Sequence, residues 1–402
     1  MIDSSRTVTI AGGGVAGFAA ALCLADKGFR VDIIEKAEAL ESVGAGLQVS
    51  PNAFHVLDRL GLGRALKTVA TAPLAIRVMN AISGRQITTI PLGETAIARY
   101  GAPYVALHRA DLLQVLAGAA ADHPDIAIHM GRRVEGAASH VNGVTSLVYD
   151  NGALEEFHGL ALIAADGVWS KLRKLNFGAA DATYTGLIAW RGLIPMDILQ
   201  ASQDKENVQL WLSPDAHAVS YPIRQGKYLN FVAVTAAPFG LEGSQLGWAD
   251  ESNAEALVGE LSRWHSSVLD TLSHRARWTK WPLYAVPQLA TWSHRSIALC
   301  GDAAHAMLPF SAQGAAMAIE DAAVLAECLA GAQKSEVPAA LERYGHIRRS
   351  RVGRAAKLTL ANRTIYHLGQ PLAAARNLVM NSMGGERLLA RQDWLYGWKL
   401  ET

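Results

Sequence analysis

An α/β fold is predicted, with a second, antiparallel layer inserted into it and helices closing the chain. Three observations predict it. The run Thr7–Ala11 is β-branched and apolar, and a glycine cluster, an Ala/Leu-rich run and a second β-branched run at Arg30–Glu35 follow it. Strand, turn, helix and strand in that order make a βαβ unit, which requires parallel pairing. The region Asp181–Lys280 instead carries Trp190, Trp211, Tyr221, Tyr228 and Phe231 in short alternating runs, the period of half-buried strands. Beyond Gly314 the pattern turns helical.

The elements follow in order. Gly17–Lys27 reads as a helix ended by Gly28 as its C-cap, and Pro51–Arg59 and Gly63–Val69 as two more. Leu74–Ile90 breaks into short strands around Ser83-Gly84. His108–Asp122 is helical, with Ala110, Leu113, Ala117 and Ala121 on one face. Val144–Tyr149 and Glu155–Ala164 flank Asp150-Asn151-Gly152, a hairpin signal. Arg224-Gln225-Gly226-Lys227 turns another hairpin, a helix lies near Asn253–Leu269, and Ser296–Leu299 is a buried strand. Helices are expected at Gly314–Ala330, Pro338–Leu368 and Pro371–Leu389, with Ser335–Pro338 as a short linker.

The chain has 402 residues, half of them hydrophobic, so a disordered or collagen-like chain is excluded. That length suits about two or three domains. Lys+Arg 37 against Asp+Glu 36 leaves a net charge of +1, which gives no reason to expect nucleic acid or an anionic membrane as partner. Cys23, Cys300 and Cys328 are scattered, so neither a disulfide framework nor a zinc site is expected, and the expected compartment is reducing and cytoplasmic. Thr7–Ala25 carries no charge and superficially suits a targeting or membrane segment. Gly12, Gly13, Gly14 and Gly17 interrupt it, and two periodicities divide it, so it reads as strand, turn and helix. No other stretch approaches the roughly 20 apolar residues of a span.

Chemistry enters with Gly12-Gly13-Gly14-Val15-Ala16-Gly17, a G-x-G-x-x-G between strand and helix. Gly12 permits the tight turn, Gly14 lets a pyrophosphate approach the backbone, and Gly17 packs helix on strand. The helix N-terminus supplies N–H donors and the positive dipole end. Glu35 ends the second strand, where a carboxylate accepts both ribose hydroxyls of an adenosine. These features make a Rossmann-like dinucleotide site but do not separate NAD from FAD. Two more motifs do. Asp166-Gly167-Val168-Trp169-Ser170-Lys171-Leu172-Arg173 follows the apolar strand Leu160–Ala165. Gly301-Asp302-Ala303-Ala304-His305 follows Ser296–Leu299 and leads through Pro309 into Gln313-Gly314 and a helix. Asp302 is suited to a ribityl chain or ribose, and a helix starting near Gly314 points N–H groups at a flavin pyrimidine edge.

With these motifs the sequence resembles the FAD-dependent aromatic hydroxylases of the p-hydroxybenzoate hydroxylase fold, over nearly the whole chain. It is most similar to the salicylate, 3-hydroxybenzoate and 6-hydroxynicotinate hydroxylases. Gly44-Ala45-Gly46-Leu47-Gln48 with Pro51-Asn52, Tyr104–Leu112 with His108-Arg109, and Gln392–Trp398 match as well. The resemblance implies an FAD domain from residues 1–73, 104–180 and 281–336, a substrate domain from 74–103 and 181–280, and C-terminal helices over 337–402. Gly12, Gly14, Ala16, Gly17, Glu35, Lys36, Gly46, Gln48, Arg109, Asp166, Arg173, Asp302, Pro309, Gln313, Gly314 and Ala315 are then the expected cofactor residues. Arg109 is implied at the FAD phosphates, and the Asp166–Arg173 motif at both FAD and NAD(P)H. NADH or NADPH would reduce the flavin, and O₂ would convert it to a C4a-hydroperoxide that hydroxylates a small aromatic acid. The implied assembly is a monomer or homodimer. Ser311 departs from a glycine in many relatives. Pro309 stands where some 3-hydroxybenzoate hydroxylases carry glutamine, and Gln48 where some 6-hydroxynicotinate enzymes carry histidine. Rival readings are a monooxygenase of a larger polycyclic or quinone-like substrate, a flavin-dependent reductase, and a non-catalytic FAD sensor.

His217 and Tyr221 are the candidate catalytic pair. Positions 217, 219 and 221 of a strand share one face. Ring hydroxylation needs an electron-rich phenolate, and a base of near-neutral pKa supplies it by taking the phenol proton. Residues alone fit an ordinary sheet histidine too; relatives with a His-x-x-x-Tyr pair facing the substrate imply the direct role, with Tyr221 orienting or relaying. His305 is expected to shape the flavin loop rather than bind a metal. Trp190–Pro195 is expected to be a strand at the domain interface, and Arg343–Arg354 a solvated helix face.

Overall fold

The computed structural model describes residues 6–40, 45–199, 204–237, 250–274 and 277–400. Thr7–Ala11 is buried on both faces and lies inside a six-stranded sheet. It pairs in parallel with Arg30–Ile34 on one side and Ala161–Ala164 on the other. Ile126–His129 and Ile297–Leu299 extend the parallel sheet, and Ser293–His294 adds a short antiparallel edge. Helices cover such a sheet on both faces, which is why its strands read as continuous apolar runs. The helix Val15–Asp26 packs against Gly314–Leu329 and Arg109–Ala121.

The second layer is an eight-stranded sheet. Its order is Asp250–Asn253, Arg277–Ala285, Thr183–Pro195, Tyr228–Ala236, Ala216–Ile223, Val208–Leu212, Ala75–Asn80 and Gln86–Pro91. One face packs Trp190, Trp211, Phe231 and Trp278 with Leu257, Leu261, Val268 and Leu272. The other carries Tyr221, Ile223 and Val219 toward Ala106, which lies in a two-stranded sheet made by Gly46–Val49 and Val105–His108. An antiparallel sheet was expected, but Val208–Leu212 pairs in parallel with Ala75–Asn80. Those strands come from distant parts of the chain, so the long crossover that parallel pairing needs is available.

Both predicted hairpins form. Asn151 and Gly152, at φ 46° and 95°, make the two-residue turn, and Arg224, Gln225 and Gly226 all take positive φ in the second. Other boundaries move. The first helix begins at Val15, with Gly14 as its N-cap. The run read as Glu155–Ala164 is two strands, Ala153–Gly159 and Ala161–Ala164, in different sheets. The helix expected over Asn253–Leu269 is two, Ala254–Glu260 and Ser266–Ser273, and His265 caps the second by accepting from Ser267 N. The last helix breaks at Gly384, whose φ of 72° no helix accommodates, into Leu372–Met383 and Gly385–Ala390. The strands Ile126–His129 and Arg133–His140 and the helix Gly93–Tyr100 were not anticipated.

The expected solvated basic face is a further correction. Arg348 lies in the 30-residue helix Val337–Tyr366 and is fully buried. It donates to Asp321 Oδ1 (2.7 Å), Glu320 Oε2 (2.6 Å) and the Met317 carbonyl (3.2 Å). Arg351 adds two bonds to Glu320. Asp321 also accepts from Gly301 N at 3.0 Å and pairs with His305 Nε2 at 2.5 Å. Burial opposes its charge, but His305 and Arg348 outweigh burial and hold its carboxyl down at about 2. Breaking a buried pair leaves an uncompensated charge, at a cost of about 3–5 kcal/mol. Arg348→Met should therefore lower the thermal melting temperature markedly, and an unchanged melt would contradict this role.

Candidate active site

The glycine turn closes as its motif requires. At Gly12, φ is 110° and a Cβ would lie 2.4 Å from the Ala165 carbonyl oxygen; at Gly17 a Cβ would lie 1.9 Å from that of Gly12. Above Gly14 there is open space, with no atom within 4 Å of a Cβ. Gly13 N donates to Glu35 Oε2 at 2.6 Å and Ala37 N to Oε1 at 2.8 Å. Each Glu35 oxygen keeps a lone pair for a further donor. Gly301, at φ 62°, packs beside Ala16, where a Cβ would lie 2.7 Å from the alanine methyl. Asp302 thus follows close to the glycine turn, and it is exposed, as are Lys36 and Arg109.

Other expected cofactor residues brace the site. Arg173 is buried and donates to the carbonyls of Val168 (3.0 Å) and Ala303 (3.2 Å), tying the Asp166–Arg173 loop to the Gly301–His305 turn. Its guanidinium faces carbonyls, and burial lowers its pKa. Asp166 accepts from Leu172 N at 3.3 Å, its Oδ1 has no partner among the described residues, and burial raises its pKa. Gln313 points its buried side chain at Ser50 Oγ (3.0 Å) rather than outward. Gly314 opens the helix Gly314–Leu329 with nothing within 4 Å of a Cβ, beside half-buried Ala315 and exposed Pro309.

Gly46 is where the two layers touch. It donates to Asn230 Oδ1 at 2.7 Å, and a Cβ there would lie 2.8 Å from Tyr221 Cε2. Two strand positions on, buried Gln48 accepts from the Tyr104 hydroxyl. Gly44 of the same motif lies outside the described residues.

Three cross-strand rows pave the sheet face opposite. His217 stands with Leu212, Val234, Ala189 and Trp281. Val219 stands with Leu210, Val232, Arg191 and Thr279, and Tyr221 with Asn230 and Leu193. His217 and Tyr221 share this face, four residues or roughly 13 Å of strand apart. They make no direct relay. His217 is 3% exposed, its ring 4.7 Å from Phe310 and 5.4 Å from Tyr366 between centroids. Its Nδ1 meets His367 Nε2 at 3.0 Å. Burial first, then His367, lowers its pKa to about 3, far from the near-neutral base expected. Burial raises the Tyr221 pKa despite Arg191 and Gln48.

Arg191 and His367 were not singled out from the sequence. Arg191 is half-buried, and its Nε, sealed from solvent, has no hydrogen-bond partner among the described residues. The guanidinium lies 5.3 Å from the Trp281 ring centroid. Burial and Arg109 lower its pKa, with Tyr221 opposing. A charge alternating with apolar residues in a strand was a readable signal. His367 follows a helix end and carries none.

A family model described as an FAD binding domain matches residues 5–359. A 3-hydroxybenzoate 6-hydroxylase of Polaromonas naphthalenivorans is 32% identical, over 98% of this chain and 96% of that protein. The chain belongs to the FAD-dependent aromatic monooxygenases. A 6-hydroxynicotinate 3-monooxygenase of Bordetella bronchiseptica is 32% identical over 88% of this chain and 91% of its own. A salicylate hydroxylase solved with its substrate superposes at a TM-score of 0.83, with 26% identity over 98% and 96% of the two chains.

The residues of this monooxygenase fit FAD. Gly14 and Gly314 leave room against backbone N–H groups, and exposed Asp302 and Arg109 offer an acceptor and a cation. Among the described residues, no helix is long and apolar enough to cross a membrane.

Two outcomes are expected. Gly14→Val should leave the apoprotein's melting temperature unchanged yet weaken FAD binding by more than about tenfold, because the side chain would occupy phosphate space; flavin fluorescence titration measures it. His217, neutral in the fold to about pH 3, gains a proton on unfolding below its ordinary pKa of about 6.5. Its contribution is complete above that value and is lost as pH falls toward 3, by up to about 1.4 kcal/mol per pH unit. Melting temperature should drop more steeply between pH 6.5 and 4 in the wild type than in His217→Gln.

Proposed function

We propose that the chain hydroxylates a small aromatic acid bearing a phenolic hydroxyl, with NADH or NADPH as reductant and O₂ as oxygen donor. Bound FAD supplies electron transfer from the nicotinamide and activation of O₂. The observation that carries the reading is Arg191, a half-buried residue whose Nε is sealed from solvent and unpaired among the described residues, on the face that also holds His217 and Tyr221. A cation whose Nε is desolvated and which has no carboxylate partner among the described residues calls for an anion from a ligand. The substrate carboxylate meets that need and sets the ring between Arg191 and His217.

The protein's own work is orientation, exclusion of water and movement of one proton. Leu210, Leu212, Val232 and Val234 line the face with apolar groups that strengthen electrostatic contacts there. His217 Nε2 has no protein partner among the described residues, because the ring meets His367 through Nδ1. That nitrogen takes the phenol proton and leaves an electron-rich ring. Tyr221, buried in the same sheet, orients the substrate from the far end of the face.

Stopped-flow kinetics with salicylate, 3- and 4-hydroxybenzoate and hydroxynicotinates tests the reading. At least one should accelerate NAD(P)H oxidation tenfold or more and yield a hydroxylated product by mass. His217→Ala should slow hydroxylation by about a hundredfold or more while flavin reduction stays nearly constant. Arg191→Met should raise KM for the acid roughly 10–100-fold, and far less for the same phenol without its carboxylate. An equal loss on both compounds would sink the anion role.

A further inference from the structure

We infer that His367 is the exit for the proton that His217 takes from the substrate hydroxyl, so that two imidazoles form one relay from a closed pocket to solvent. The inference rests on the hydroxylase reading above. His217 itself has no outlet, being 3% exposed and closed in by Phe310 and Tyr366. His367 is half-buried and stands directly after the helix Val337–Tyr366. The 3.0 Å contact joins Nδ1 of one ring to Nε2 of the other. One of those nitrogens donates and the other accepts, so each ring keeps its remaining nitrogen for another partner. Hence the substrate meets His217 Nε2, and water meets His367 Nδ1.

The position of His367 is built. Arg376 donates to the carbonyls of Ile365 (2.8 Å) and Tyr366 (3.0 Å), satisfying the end of the helix that delivers it. Arg363, Arg376 and Asp215 are the charged groups around the ring. Burial first, then Arg363 and Arg376 against an opposing Asp215, disfavour a resident positive charge there, and burial disfavours one on His217. A histidine that cannot store a proton still conducts one if gain and loss occur together.

The transfer balances. The phenol O–H bond breaks and an Nε2–H bond forms on His217. The Nδ1–H of His217 breaks as an Nε2–H bond forms on His367, and the Nδ1 proton of His367 passes to water. A neutral phenol becomes a phenolate, one proton reaches solvent, and both rings stay neutral. Protonation of the product by the reverse path restores the starting tautomers.

Three FAD-loaded proteins test this: wild type, His367→Gln and His367→Ala. The probes are 3-hydroxybenzoate, salicylate and 6-hydroxynicotinate. Proton release on binding to the oxidised enzyme is followed by stopped flow with a pH indicator in weak buffer, and flavin reduction and hydroxylation are timed separately. Glutamine keeps a hydrogen-bond partner for His217 but cannot pass a proton on. The relay requires both variants to release the proton at least tenfold more slowly, with flavin reduction within twofold of wild type. Added imidazole should restore release in His367→Ala. Wild-type release in His367→Gln would overturn the relay and leave His367 as an orienting group. Parallel loss of reduction and release would overturn it as well. A wild-type enzyme that turns over none of the probes would overturn the hydroxylase reading, and the relay with it, before any variant is compared.

Discussion

Arg348 is a full positive charge from which water is excluded, and the site is referenced to it. Its bonds to Glu320 and Asp321 hold the helix Val337–Tyr366 against the helix Gly314–Leu329. Asp321 then anchors Gly301 and His305, while Glu320 reaches Asn52 at 2.6 Å. Arg351 carries the same connection to the carbonyls of Trp394 and Leu395 near the C-terminus. A buried ion cluster is weak evidence for stability, since a hydrophobic replacement can do as well. Its bonds are directional, however, and a small register shift would leave several charges unpaired at once.

From that anchor the long helix reaches the sheet face that bears His217. Asn362 and Tyr366 donate to the Phe310 carbonyl at 3.1 and 3.3 Å, and Thr359 pairs with Ser311 at 2.6 Å. Phe310 packs on His217, and His367 follows at the end of the same helix. One helix therefore places the loop bearing Phe310 and the partner of His217 together. The sheet supplies the opposite wall, and Gly46 lets the two meet without a side chain between them.

Much of this was legible in the sequence. The glycine turn, Glu35, both hairpins and the position of His217 on a sheet face follow from local rules: tight turns need glycine, and strands alternate. What escaped was long-range. Arg173 and Gln313 sit in dinucleotide motifs, yet their partners are a carbonyl and a hydroxyl far away in sequence. The basic helix looked solvated because its acids lie on another helix. Nor does periodicity signal that Val208–Leu212 would pair in parallel with Ala75–Asn80.

The strand order bears on how the chain emerges during synthesis. Thr7–Ala11 is made early but pairs with Ala161–Ala164, which in turn waits for Ile297–Leu299. The eight-stranded sheet likewise joins Ala75–Asn80 to Val208–Leu212 across a segment of the other layer. The parallel sheet is not finished until Ile297–Leu299 is made, and the helix bearing Arg348, which ties down Asp321 and with it Gly301 and His305, comes later still. Such non-local pairing slows folding and leaves apolar strands uncovered meanwhile. Nascent chains shortened before that helix should thus be clients for chaperones.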